Sequence, residues 1–300
     1  MFSGLLQRIK GFNVVERFIL MNVTVYIIVV FIGLFSVLFN VTSIADNVVG
    51  YVELPSSFFQ LLCRPWTIVT YMFLHEQLMH ILWNMLALYL FGRIFLSFFS
   101  VRHFVGVYVL GGIFGGLAFL LAYNIFPYFA PYVGHSFLVG ASASVLAVVV
   151  ASAVRAPDYR INLLFFGNVK LSLLAWVFVG VSVLMLSSSN AGGNFAHLGG
   201  AFAGWLVAFM LNKGTDITVL VNKPIDFIVS VFSKRPQAKR RKAKFTYSAS
   251  SAKRSSDYSY NAQKKADEAE VDRILEKIKK GGYASLTEDE KKRLFDASSK

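Results

Sequence analysis

The sequence predicts an all-α polytopic membrane protein, six transmembrane helices in one bundle with both termini on the cytoplasmic side. Three observations predict it. The 300 residues are 55% hydrophobic and only 16% charged, with a mean hydropathy of +0.55, where soluble domains run nearer one quarter charged. Several apolar runs approach or exceed the ~18 residues that a hydrocarbon core about 30 Å thick demands. Lys and Arg gather at alternate junctions between those runs, as the positive-inside rule requires.

The spans read in order at 18–39, 78–99, 103–125, 139–154, 171–188 and 195–212. The first is too long for a cleavable signal and no A-x-A-like site follows it, so it is expected to remain. Arg8, Lys10 and Arg17 precede it; Arg93 and Arg102 lie at the second junction, and Arg155, Arg160 and Lys170 at the fourth. The opposite side receives Arg64 in a long first loop (40–77) and no Lys or Arg in 126–138 or 189–194. That asymmetry puts both termini in the cytoplasm of a multi-pass protein. Within the loop, "LLCRPWTIVTYMFLHEQ" (61–77) is amphipathic, with Arg64 and Trp66 suited to an interfacial anchor.

The net charge of +13 is unevenly spread. Residues 1–212 carry nine Lys/Arg against five Asp/Glu, and 213–300 carry 21 against 12. Basicity beside a last span points to anionic lipid headgroups and argues against nucleic acid as a partner. Residues 213–233 read as an interfacial segment, with the apolar stretch 217–232 broken by Asn222-Lys223-Pro224. A basic, Ser/Tyr-rich linker (234–263) cannot bury a core. Residues 264–300 read as a small cytoplasmic helical hairpin. Val271, Ile274, Leu275 and Ile278 recur at helical spacing, Gly281-Gly282 ends that helix, and Thr287-x-x-Glu290 caps a second carrying Leu294 and Phe295. What the hairpin binds is not legible. Cys63 is the single cysteine, which excludes an internal disulfide and a cysteine-rich metal site.

The polar residues inside the spans converge. Span four opens on "VGASAS", with Ser142 in its first turn. Span six opens on "NFAHLGG", with His197 in its first turn, and "LMHILWNML" puts His80 and Asn84 in the first two turns of span two. All three spans enter from the outside, so at about 1.5 Å per residue these four side chains share one level, within roughly 10 Å of the external helix ends.

Each has a bland reading. A membrane serine usually packs and bonds a carbonyl one turn back, and Ser142 alone is about four to one structural. His80 and Asn84, at i and i+4, could be a hydrogen-bonded interhelical pair. Their coincidence at one depth favours a site. Serine becomes a nucleophile when a base takes its proton, and His197 is the candidate base. Asn84, His80 and the Ser142 amide could donate to an oxyanion. Gly200 and Gly204 form a small-residue face that, set against Ala143, Ala147 and Ala151, would bring spans four and six into backbone contact; plain packing explains those glycines equally well.

On these motifs the sequence resembles the rhomboid family of intramembrane serine proteases. The residues are Gly140-Ala141-Ser142-Ala143, Ala196-His197-Leu198-Gly199-Gly200 through Gly204, and His80 to Asn84, and the resemblance covers about 14–212. It implies a six-helix rhomboid bundle with a Ser142–His197 dyad, an oxyanion hole at Asn84 and His80, and structural support from Gly140, Gly200 and Gly204. It further implies an inner-membrane enzyme that cleaves single-span membrane proteins near the periplasmic face. Two residues depart from the common pattern: Ala143 replaces a glycine, and Leu146 replaces an aromatic that stacks on the histidine. The tail hairpin resembles C-terminal extensions of some Bacteroidetes rhomboids.

Ser144 lies about 200° around the helix from Ser142 and is the minor nucleophile candidate. His75 reads as an interfacial loop residue, and His103 and His135 as surface residues. No H-E-x-x-H occurs, and neither metal nor other cofactor is implied. The competing readings are a catalytically inactive rhomboid-like protein that binds or escorts membrane helices, and a channel or transporter. The predicted spans hold no acidic residue and the polar set lies away from the midplane, which disfavours the last.

Overall fold

Asn13 accepts the Glu16 N–H while the Glu16 carboxylate accepts the Asn13 N–H. This reciprocal capping box satisfies two donors that a helix start leaves open, and it begins α1 (Val14–Leu38). In this computed structural model the described residues are 11–41, 43–163, 167–232, 273–279 and 286–291. α1 fully buries Val15, Asn22 and Ser36; Val14, Phe18, Ile19, Val23 and Tyr26 pack half-buried against the core, and Ile27, Ile28, Val30, Phe31, Leu34 and Phe35 are exposed, as on a helix with one face to lipid.

The first loop is structured. It contains α2 (Ser43–Val52), β1 (Leu54–Pro55), α3 (Phe58–Cys63), α4 (Thr67–Thr70) and a 3₁₀ turn, Tyr71–Phe73. α5 (Leu78–Leu96) and α6 (Val101–Ile125) follow. A 3₁₀ segment, Pro127–Tyr132, then leads to β2 (Phe137–Leu138), which pairs antiparallel with β1, Leu54 opposite Leu138. α7 (Ser142–Arg155) leads through an antiparallel hairpin, β3 (Arg160–Leu163) and β4 (Gly167–Lys170), to α8 (Leu171–Leu184). α9 (Ala191–Asn212) and α10 (Val219–Phe232) complete the order.

Among the described residues α1, α5, α6 and α9 are long and apolar enough to cross a membrane, and α7 and α8 are shorter apolar helices. The architecture is that of an all-α polytopic membrane protein. Among the described residues the β structure is two small antiparallel pairs.

α7 is the innermost helix, packed by α5, α6, α8 and α9. Glycine makes that possible. A Cβ added to Gly200 or Gly204 of α9 would sit 2.2 Å from the carbonyl oxygen of Ala143 or Ala147, and one added to Gly115 or Gly111 of α6 would sit 2.5 or 2.4 Å from the same alanines' Cβ atoms. Backbones thus touch on both sides of α7, the close approach that small-residue faces permit. The expected facing of Gly200 and Gly204 on Ala143 and Ala147 is what is found.

Length sets the depth of the site. Fourteen residues span about 21 Å, short of a ~30 Å hydrocarbon core, so α7 cannot reach both surfaces. The non-helical chain before it is packed on protein instead: the Gly140 N–H donates to the Tyr71 carbonyl at 3.0 Å and the Ala141 N–H to His75 Nε2 at 3.4 Å. Irregular backbone is tolerated at such depth only when its polar groups are satisfied in this way.

Two expectations are corrected. α9 starts at Ala191, four residues earlier than expected, so His197 lies in its second turn. The break at Asn222-Lys223-Pro224 does not occur: α10 runs continuously through Pro224. Proline removes one helix bond, and side-chain tethers to α6 hold the helix nonetheless. Asn222 Nδ2 donates to the Arg102 carbonyl at 3.1 Å, Arg102 pairs with Asp226 at 2.9 Å, and Thr218 fills the space left by Gly106.

The chain divides into two units, Met1–Lys234 and Arg235–Lys300. In the second, 273–279 and 288–291 are helical and Ile274 is buried. The Thr287–Glu290 capping box is formed, and Lys277 pairs with Glu290 at 2.8 Å. The linker at 234–263, Val271, Gly281, Gly282, Leu294 and Phe295 lie outside the described residues.

Candidate active site

Gly140 adopts φ +119°, a conformation that L side chains rarely reach, and a Cβ there would meet the His80 ring at 2.8 Å. Glycine is therefore required twice over. The turn that it makes delivers Ser142 as the first residue of α7, where the N–H groups have no intrahelical acceptor. Ser142 Oγ lies 2.8 Å from His197 Nε2. On the far side of the same ring, His197 Nδ1 lies 3.2 Å from Ser182 Oγ of α8, and that hydroxyl donates to the Phe178 carbonyl at 3.0 Å.

Asn84 is buried on α5, and one of its amide hydrogens goes to the His80 carbonyl at 3.0 Å. Within α5 the two residues are thus joined by an amide-to-backbone bond. The His80 ring instead lies against Gly140 and edge-on to His75, with centroids 5.2 Å apart.

His75 is a correction. It is fully buried, and it holds the Ala141 N–H one residue before the serine; its place before a span concealed that. Ser144 is also fully buried, with Oγ 3.8 Å from Met72 Sδ and close against Gly112. His103 caps α6 with Ser100 and lies 3.4 Å from Asp216, and His135 is exposed. Leu146 is buried among Phe91, Val149, Val150 and Ala201.

The first loop braces this end of the bundle. Arg64 donates to the Gly50 carbonyl and lies over the Tyr51 ring, while Trp66 Nε1 donates to the Tyr51 carbonyl at 2.7 Å. Tyr71 is buried and its hydroxyl donates to the Gly112 carbonyl at 2.7 Å, tying the loop to α6. Burial and then Glu76 push the Glu53 carboxyl up to about 7, against the opposing pull of Arg64.

Sequence reading missed Ser182, His75 and Tyr71. Only Ser182 left a signal, as a polar residue in the middle of the apolar run "VFVGVSVLML".

A polytopic helical membrane protein with a half-buried serine bonded to a histidine across two glycine-packed helices is the class that fold and geometry define. The family described as "Rhomboid domain" matches residues 62–214, and the chain belongs to the rhomboid family. A "Family of unknown function (DUF6576)" matches residues 254–300. The chain is similar to the "RHOMBOID-like protein 12, mitochondrial" of Arabidopsis thaliana, 27% identical over 157 residues, 49% of this chain. It spans about half, 47%, of that relative's length.

Proposed function

We propose that this chain is an intramembrane serine endopeptidase that cleaves transmembrane segments of other membrane proteins through a Ser142–His197 dyad. One observation carries the reading: the 2.8 Å contact between Ser142 Oγ and His197 Nε2, at the start of a helix packed backbone to backbone. In this mechanism Ser142 attacks the scissile carbonyl and its hydroxyl proton passes to Nε2. The imidazolium then gives that proton to the leaving amine, and water completes hydrolysis of the acyl-enzyme. The second Asn84 amide hydrogen, the His80 ring and the Ser142 N–H stabilise the oxyanion. Gly140, Gly200 and Gly204 keep side chains out of the turn and the helix contact.

The substrates are single-span membrane proteins entering from the lipid. The chain resides in the inner membrane with both termini cytoplasmic, the site opens towards the periplasm, and the basic tail lies near anionic headgroups. The partner of the 264–300 hairpin is unassigned. A second reading, an inactive relative that binds or escorts membrane helices, draws on one observation: the position where the resemblance implies an aromatic for the histidine holds Leu146, which is buried in an apolar cluster with Phe91, Val149 and Ala201.

A fluorophosphonate probe decides between the two. Wild-type labelling in membranes that is absent in both Ser142→Ala and His197→Ala, and is slowed roughly 10²-fold in Asn84→Ala, fits the protease. No labelling of folded wild type, beside a rhomboid that does label, leaves the helix-binding reading standing.

A further inference from the structure

Ser182 presents one hydroxyl to two partners. It lies 3.0 Å from the Phe178 carbonyl and 3.2 Å from His197 Nδ1. A hydroxyl has a single hydrogen and two lone pairs. The carbonyl can only accept, is the nearer of the two, and lies one turn back on the same helix, where a membrane serine ordinarily places its hydrogen. What faces the imidazole is then a lone pair, and a bond to Nδ1 requires the ring to supply the hydrogen.

We infer that Ser182 is a positioning residue that fixes His197 as the Nδ1–H tautomer, leaving the Nε2 lone pair aimed at the Ser142 hydroxyl. The inference deepens the protease reading and rests on it for its kinetic part. A histidine base hydrogen-bonded at its far nitrogen is held in one rotamer and one tautomer. Without that hold the ring can place its hydrogen on Nε2, where it would oppose the serine proton. Burial sharpens the effect: Ser182 is 4% exposed, so no solvent is at hand to replace the bond. As the imidazolium forms, both N–H groups have acceptors, Nδ1 to Ser182 and Nε2 to the Ser142 oxygen. The serine thus performs with a neutral oxygen the orienting task that a carboxylate performs in a three-membered arrangement. Its helix also supplies what Leu146 does not, a directional contact to the ring.

The test uses the full chain in nanodiscs, with Ser182→Ala and Ser182→Thr. Alanine fits the same space, and threonine restores the hydroxyl. The second-order rate of fluorophosphonate labelling is expected to fall about five- to tenfold in Ser182→Ala, the loss of one neutral hydrogen bond, and to stay within about threefold of wild type in Ser182→Thr.

Nitrogen NMR of ¹⁵N-histidine-labelled protein reads the tautomer directly, with His197→Gln locating the signal among five histidines. Wild type is expected to carry the hydrogen on Nδ1 and Ser182→Ala to show a mixture. An Nε2-protonated ring in wild type overturns the inference. So does a Ser182→Ala variant unchanged in tautomer and rate, or a threonine variant as slow as alanine. If wild type does not label at all, the protease reading fails, and the nitrogen spectrum still decides the tautomer.

Discussion

α7 and α8 are both fourteen residues long and apolar, yet eleven residues of α7 are buried and only Leu171, Ala175 and Ser182 of α8. The difference lies in their partners. α7 is clamped by glycines from α6 and α9, whereas α8 exposes Leu173, Trp176, Val177, Phe178, Val181, Val183 and Leu184. Ser142 and His197 therefore meet across a seam where backbone touches backbone. Their third contact, Ser182, rides on one of the chain's most open helices. The contrast teaches that two neighbouring bonds to one imidazole rest on supports packed to very different degrees.

One substitution made in both regions sharpens this. Gly200→Ala places a Cβ 2.2 Å from the Ala143 carbonyl, a conflict that only a shift of α9 relieves. It is expected to cost about 2–4 kcal/mol and to reduce probe labelling at least tenfold, measured by unfolding in detergent and by the labelling rate. Wild-type stability in that variant would mean that the seam is slack.

Next in size is the loop that braces the seam. The folded chain holds the Glu53 proton up to about pH 7, where an ordinary carboxyl releases it near 4.5. The folded state therefore binds more protons in that window. The stabilisation is full below about pH 4.5 and is lost as pH rises to about 7. Glu53→Gln, which mimics the protonated form, is expected to match wild type near the acid end and to exceed it at pH 8. Screening limits the gain to about 1 kcal/mol, or roughly 2–4 °C in Tm. A Tm difference independent of pH would remove Glu53 as the source.

The smallest effect has the opposite sign to the first. Gly180 of α8 has nothing within 4 Å of an added Cβ. Gly180→Ala is expected to stabilise by about 0.5–1 kcal/mol through helix propensity alone, with the labelling rate unchanged. Destabilisation there would show that α8 is packed more closely than its exposed face implies.

Much of this was legible in the sequence, because a membrane states its demands in length and polarity. The apolar runs mark the helices, and the expected topology sets Ser142, His197, His80 and Asn84 at one depth. What stayed hidden depends on contacts between elements. His75 precedes a helix, and nothing in its neighbours says that the chain before Ser142 folds onto its ring. Ser182 drew no reading at all, since its second partner lies on another helix. Pro224 misled because a local rule predicts a break, and tethers from Asn222, Arg102 and Thr218 override it. The glycines of α6 matter through a helix to which they are not adjacent in sequence.

The seam also has a consequence for descent. A glycine codon leads by one base change to residues that all carry a Cβ, except for its own synonyms. At Gly200 and Gly204 every such step strikes a carbonyl oxygen at 2.2 Å, so no single-base replacement at these positions is expected to be neutral. α8 faces no such wall, and its outward positions can exchange one apolar residue for another freely. Tolerance to substitution is expected to be greater along the outward face of α8, with Ser182 as the position on that helix where a change would carry a chemical penalty.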